Sequence, residues 1–227
     1  MQQKTWEKEY SNPQLVTGTS NEPIADVERF VKWYKKKVAK PLGLAVLDLG
    51  SGNGKNGNYL ARLGAQIEGI DIARNAVDVA NKIAKESELS ATYRQGSIGD
   101  NLPFSDGSFD MAIDATASNS LTETERAKYL TETARCLKPG GHFFVRVLTK
   151  DGDKNAKNLL KLFPGKEHDT YIMPGVGLIE RVWTEADFRE YYKEFFNIIF
   201  LEKREHYTRF AGQKYKRHFL IAYLVKK

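Results

Sequence analysis

Val46-Leu47-Asp48-Leu49-Gly50-Ser51-Gly52-Asn53-Gly54 decides the fold of this 227-residue chain. An apolar run ends in an acid, and three alternating glycines then lead into a helical segment beginning at Asn56. Residues 44–49 predict a buried strand. Asp48 is placed to accept hydrogen bonds from a cationic amine, and Gly50, Gly52 and Gly54 let the backbone turn sharply and a ligand approach closely. The helix that follows points its N-terminus at the same spot. A nucleotide-like cofactor is expected there.

Outward from this turn, strand-like apolar runs alternate with helix-like stretches, the pattern of a doubly wound α/β sheet with helices on both faces. The first helix is expected to start near Pro23, with Ile24, Val27, Phe30, Val31 and Tyr34 inward. A second follows residues 67–72 and buries Val77, Ala80, Ile83 and Ala84. Thr122 with Glu125, and Thr184 with Asp187, have the spacing of capping boxes for two later helices. Residues 198–201 and 219–225 predict a closing hairpin joined by a basic loop.

Four segments in order carry a family likeness. After the glycine turn, Ile67-Glu68-Gly69-Ile70-Asp71-Ile72 predicts a second strand ending in an acid, at the spacing of a ribose-binding carboxylate. Residues 102–110 lead toward a fourth strand, and Leu137-Lys138-Pro139-Gly140-Gly141 precedes a fifth at residues 143–148. Together they resemble the class I S-adenosylmethionine-dependent methyltransferases, in particular the type-11-like branch that acts on small molecules. The resemblance implies a seven-stranded Rossmann-like sheet, mostly parallel with the last strand antiparallel. It assigns the ribose hydroxyls to Asp71 and adenine packing to Ile72. It also implies that Asp114 to Ser118 faces the methyl group, making Asp114 the first candidate for a cofactor or acceptor contact. Where many relatives have Gly-Asp after the third strand, this chain has Gly96-Ser97-Ile98, so adenine contacts fall to Ser97 and Ile98. Asp100 is read as a loop acid.

Residues 52–57 also satisfy the G-x-G-x-x-G dinucleotide pattern. A pyrophosphate beside the turn would be repelled by Asp48, whereas the ammonium of S-adenosylmethionine would be favoured. That difference ranks NAD second.

Composition fits one enzyme domain, with 41% hydrophobic and 28% charged residues. The expected organisation is an N-terminal arm and helix over residues 1–40, a cofactor-binding core over 41–149, a substrate lid over 150–183, and a last helix with the terminal hairpin over 184–227. No apolar stretch has membrane-spanning length and no export leader is evident, so a cytoplasmic location and no membrane partner are expected. Cys136 lies on an apolar helical stripe and is read as core. His142, His168, His206 and His218 lack ligand spacing, so no metal is expected. His168, Asp169 and Tyr171 fall in the Gly- and Pro-bearing connection after the fifth strand, which is long enough to fold over the site. His168 and Tyr171 are therefore candidate base or acceptor contacts there, beside the plainer reading as solvated loop. Trp6 and Tyr10 stand four apart, so Tyr10 is a candidate for a helical arm laid over the cofactor.

Residues 201–227 hold eight Lys or Arg against two Glu, a surplus equal to the whole net charge of +6. A basic, aromatic-bearing hairpin can track an RNA backbone; it can also be a solubilising surface. Three functions follow: transfer to a small-molecule acceptor, transfer to RNA of the tRNA type, and a scaffold that binds the cofactor without catalysis. The intact glycine turn and Asp71 argue against the third. Oligomeric state is left open.

Overall fold

The computed structural model describes residues 2–11, 20–210 and 213–227. Its elements run α1 (Gln2–Ser11), α2 (Ala25–Lys37), β1 (Ala45–Leu49), α3 (Lys55–Arg62), β2 (Gln66–Asp71), α4 (Arg74–Glu86), β3 (Ala91–Gln95), β4 (Phe109–Ala115), a short 3-10 turn (Ala117–Ser120), α5 (Glu123–Cys136), β5 (Leu137–Leu148), α6 (Lys154–Leu162), β6 (Thr170–Ile172), β7 (Ile179–Arg181), α7 (Glu185–Tyr192), β8 (Phe196–Phe210) and β9 (Gln213–Lys226).

Seven strands form one sheet in the order β3-β2-β1-β4-β5-β9-β8. The first five are parallel, and β9 is inserted antiparallel between β5 and β8. This is the doubly wound Rossmann-like sheet expected from the sequence. Alternation along the central strands feeds two cores. Val46 and Phe144 pack with Phe30 of α2, while Leu47, Leu49, Phe143 and Val145 pack on the other face with Tyr129 of α5 and Phe188 of α7. The order reverses at β1, whose carboxyl end meets that of β4. The crevice there is where an open α/β sheet receives a ligand.

The capping box at Thr122 is present, with the side chain accepting from Glu125 N–H and Glu125 reaching back to Thr122 N–H. Thr184 caps α7 by accepting from Asp187 N–H at 3.0 Å. Cys136 is buried, and burial pushes its thiol up to about 11, in keeping with a packing role.

Three expectations change. The Pro139-Gly140-Gly141 turn is a bulge inside one long strand, because Phe109 pairs with Leu137 and Met111 already with His142. Residues 150–182 are not an open loop but hold α6 and the β6–β7 hairpin. The described parts of the basic segment, residues 203–210 and 213–217, are not a loop either. Arg204 pairs with Phe219 and Tyr207 with Lys216 within β8 and β9, and pairing turns alternate charged side chains to opposite faces, so Arg217 and His218 become buried. Among the described residues, no helix is long and apolar enough to cross a membrane.

Candidate active site

Two adjoining cavities open at the carboxyl ends of β1 and β4. The first, of about 300 Å³, is lined by the glycine turn, the ends of β2 and β4, and α1. The second, of about 350 Å³, lies between β5, β9, α6 and the segment joining β6 to β7. Trp6, Thr116, Ser120 and Arg146 line both.

The turn is shaped for close approach. Gly52 has φ +54°, and a Cβ there would sit 2.3 Å from the Tyr10 hydroxyl. Gly50, Ser51 and Gly52 line the first cavity with Asp71, Ile72, Ser97 and Ile98. Asp71 is buried; its two oxygens accept from Gly52 N–H at 2.8 Å and Ala73 N–H at 2.9 Å. Burial raises its pKa, and those N–H groups pull the other way. One carboxylate thus braces the turn and ends at the cavity wall with lone pairs to spare. The Ser51 hydroxyl is buried with no hydrogen-bond partner in the described structure, as expected of a group awaiting a polar ligand.

Tyr10 and Trp6 lie over these cavities. Helix α1 is anchored by Asn75 Nδ2 donating to Glu7 O at 2.7 Å and Gln2 Nε2 donating to Ser120 O at 2.9 Å. Burial is the main reason the Tyr10 hydroxyl is held above its ordinary pKa, with Asp71 adding to it.

Several candidates fall elsewhere. Asp48 does not line the first cavity: it is buried behind the turn and accepts from Gly57 N–H at 3.1 Å. Gly54 also faces away from the ligand. A Cβ there would lie 2.9 Å from Ala80 Cβ and from Tyr93 Cζ, so this glycine lets α3 pack on α4 and β3. Asp114 is fully buried, accepting from the Tyr129 hydroxyl and Ala117 N–H, both at 2.7 Å, and from Ser118 N–H. It ties β4 to α5 and lines neither cavity; its neighbours Thr116 and Ala117 supply the wall instead.

His168 has 73% of its side chain exposed, lies 3.1 Å from Asp169 and lines neither cavity. With Asp187, these residues bring ligand-type atoms within 4.8 Å of one another. Asp169 is ion-paired with Lys150, and Asp187 accepts from the Thr184 hydroxyl. Tyr171 is buried behind the second cavity. Its hydroxyl donates to Glu180 and accepts from Arg217 Nη2 at 2.8 Å, and it is Glu180 and Arg217 that reach the cavity. His168→Ala is therefore expected to leave cofactor affinity and stability within about 0.5 kcal/mol of the parent, the range of a surface change; calorimetry and urea unfolding check it.

Two cations escaped the sequence reading. Lys55, at the start of α3, lines the first cavity. Burial foremost, then the nearby Arg146, lowers its pKa. A lysine at a helix N-terminus opposes the dipole, which is the signal that was available. Arg146 interrupts the apolar row Phe144 and Leu148 on one face of β5. Burial depresses it to about 10, with Asp26 opposing the shift, so it stays charged at neutral pH.

Burial raises Asp48 to about 7. A carboxyl whose folded pKa lies above its unfolded value makes stability fall as pH rises between the two, here from about 4 to about 7. Asp48→Asn keeps an acceptor for Gly57 N–H and has no charge to bury. Its stability relative to the parent is expected to rise by more than about 1 kcal/mol between pH 5 and pH 8; urea unfolding across that range measures it.

Residues 46–141 match the family described as a methyltransferase domain. This part of the chain is a methyltransferase domain. S-adenosylmethionine is the cofactor of that family, and the braced glycine turn, the orphaned Ser51 hydroxyl and Asp71 fit it. An uncharacterized methyltransferase from Synechocystis is 33% identical over 141 residues, covering 62% of this chain and 64% of the relative. A ubiquinone biosynthesis O-methyltransferase from Alkalilimnicola ehrlichii is 32% identical over 155 residues, covering 64% and 60%. This chain thus matches less than two thirds of the length of either curated relative. A solved S-adenosylmethionine-dependent methyltransferase from Methanosarcina mazei superposes with a TM-score of 0.74 at 25% identity, over 86% of this chain and 96% of that one.

Proposed function

We propose that the chain transfers a methyl group from S-adenosylmethionine to a small-molecule acceptor in the second cavity. The observation that carries this reading is the pair of cavities joined along Trp6, Thr116, Ser120 and Arg146, one fitted to the cofactor and the other lined largely by apolar side chains. When bound, the cofactor supplies a methyl carbon already activated by a sulfonium. The protein's task is then placement and exclusion of water. Asp71 holds ribose hydroxyls, Ile72 and Ile98 enclose the adenine, with Ser97 at its edge, and Lys55 meets the cofactor's carboxylate. Helix α1 covers both cavities through Trp6 and Tyr10, and residues 150–183 select the acceptor. A relative named for ubiquinone biosynthesis supports a small-molecule acceptor. The four segments delimited from the sequence act as one domain, and we place it in the cytoplasm.

Transfer to RNA is weaker on this geometry. Of the basic side chains in β8 and β9, Arg204 is ion-paired with Asp26 and Glu202, Lys216 with Glu205, and Arg217 turns inward to Tyr171. Those three are drawn away from phosphates, which weakens a continuous basic track. A scaffold without catalysis would have no use for the second cavity. Methyl-labelled cofactor incubated with the protein and either metabolite extract or total RNA tests the choice. Label in the small-molecule fraction is expected; label confined to RNA, lost with salt and with alanine at Lys203 and Lys214, contradicts it.

A further inference from the structure

Among the described residues, the four that line both cavities include no carboxylate and no imidazole. None of these four can remove a proton from an alcohol or an ammonium, and an acceptor atom that arrives with its lone pair free needs no such group beside it. What the junction does hold is a guanidinium. Arg146 has 13% of its side chain exposed. Its Nε donates to Asp26 at 3.2 Å, and its guanidinium carbon lies 3.5 Å from the Phe219 ring centroid. Neither Nη has a hydrogen-bond partner among the described residues.

The charge around Arg146 is not balanced. Asp26 is shared by Arg29, Arg146 and Arg204 and has the His206 ring 3.2 Å away, with Glu202 as the one further carboxylate paired in the cluster among the described residues. Positive charge is in surplus, and Arg146 is the member that reaches the cavities. Elsewhere in the second cavity Glu180 is already engaged by Tyr171, and Arg217 lies 3.5 Å from Asp153. Leu148, Leu159, Leu162, Met173 and Phe219 supply an apolar wall. A planar guanidinium with both Nη groups unpartnered beside such a wall matches an apolar molecule ending in a carboxylate.

Resting on the methyltransferase reading above, we propose that the acceptor is a small apolar carboxylic acid, bound as its anion by Arg146 and methylated on a carboxylate oxygen. The oxygen supplies the electron pair for the new O–CH3 bond, and the S–CH3 bonding pair stays with sulfur. Sulfonium and carboxylate charges cancel and no proton moves, which is why the junction needs no base. The neutral ester no longer pairs with Arg146, and this favours its release.

The test titrates octanoate, 1-octanol and octylammonium into the protein loaded with S-adenosylhomocysteine. Octanoate is expected to bind at least about tenfold more tightly than either analogue, the scale of one charge-assisted pair. Arg146→Gln should abolish that preference and Arg146→Lys keep part of it, while affinity for S-adenosylhomocysteine stays within about threefold for both. Label transferred from methyl-labelled cofactor into a metabolite extract should be released as methanol by mild alkali, as from a methyl ester. Absence of a preference for octanoate overturns the proposal, and so does a labelled product that survives alkali. Failure of the unaltered protein to bind S-adenosylhomocysteine would instead strike the reading on which it rests.

Discussion

Gly52→Val is expected to reduce affinity for S-adenosylmethionine by at least about 100-fold, the largest effect of any single change at the turn. Two terms add. Gly52 has φ +54°, where a β-branched residue costs about 1–2 kcal/mol. Its new side chain would also enter the space now bounded by the Tyr10 hydroxyl, 2.3 Å from the Cβ position. Helix α1 can swing aside, but the valine methyl groups then stand where the cofactor belongs. Asp71→Ala, by comparison, leaves the space open and removes charged hydrogen bonds, a loss of about 1–3 kcal/mol in all. It loses its braces to Gly52 and Ala73 as well as the ribose contacts proposed for it. Calorimetric titration of both variants, with far-ultraviolet circular dichroism to establish that they are folded, measures the order. Gly52→Val binding as well as Asp71→Ala would show that the turn does not abut the ligand.

Asp114→Ala is the second large effect, and it falls on stability. The carboxylate is fully buried and accepts from Tyr129, Ala117 and Ser118. Truncation leaves a buried tyrosine hydroxyl and two backbone N–H groups at the start of the 3-10 turn without their acceptor. Each orphaned group costs about 1–3 kcal/mol, so a loss of about 3–5 kcal/mol is expected. Urea unfolding reads it directly. A variant as stable as the parent but unable to transfer methyl groups would restore a catalytic role to Asp114.

The fold was legible because its signals are local. Each parallel strand is a short apolar run, and the glycine turn, Asp71 and the two caps are spelled out by neighbours in sequence. The first cavity was legible for the same reason: Gly50, Ser51, Gly52, Asp71, Ile72, Ser97 and Ile98 follow strand ends, and strand ends in this topology converge. What failed depended on direction or partner. Asp48 and Asp114 are strand-end acids like Asp71, yet pleating and the packing of α3 and α5 turn them into the interior. Residues 203–210 and 213–217 looked like a loop because they are charged, whereas cross-strand pairing with one another makes them β-structure. Tyr171 was found in the right segment but on its inner side, with Glu180 and Arg217 between it and the cavity. Arg146 carried a sequence signal that went unread, a charge in the middle of an apolar strand; its meaning required Asp26 from α2 and Phe219 from β9 beside it.

The glycine turn and Asp71 are expected to hold a methionine-derived sulfonium cofactor rather than a dinucleotide. Isothermal titration of the unaltered protein with S-adenosylmethionine, S-adenosylhomocysteine and NAD tests it most directly. Binding of the first two in the micromolar range, with Asp71→Ala weakening both and NAD giving no heat of binding, is the expected result. Binding of NAD with no measurable affinity for either methionine-derived ligand would contradict the account.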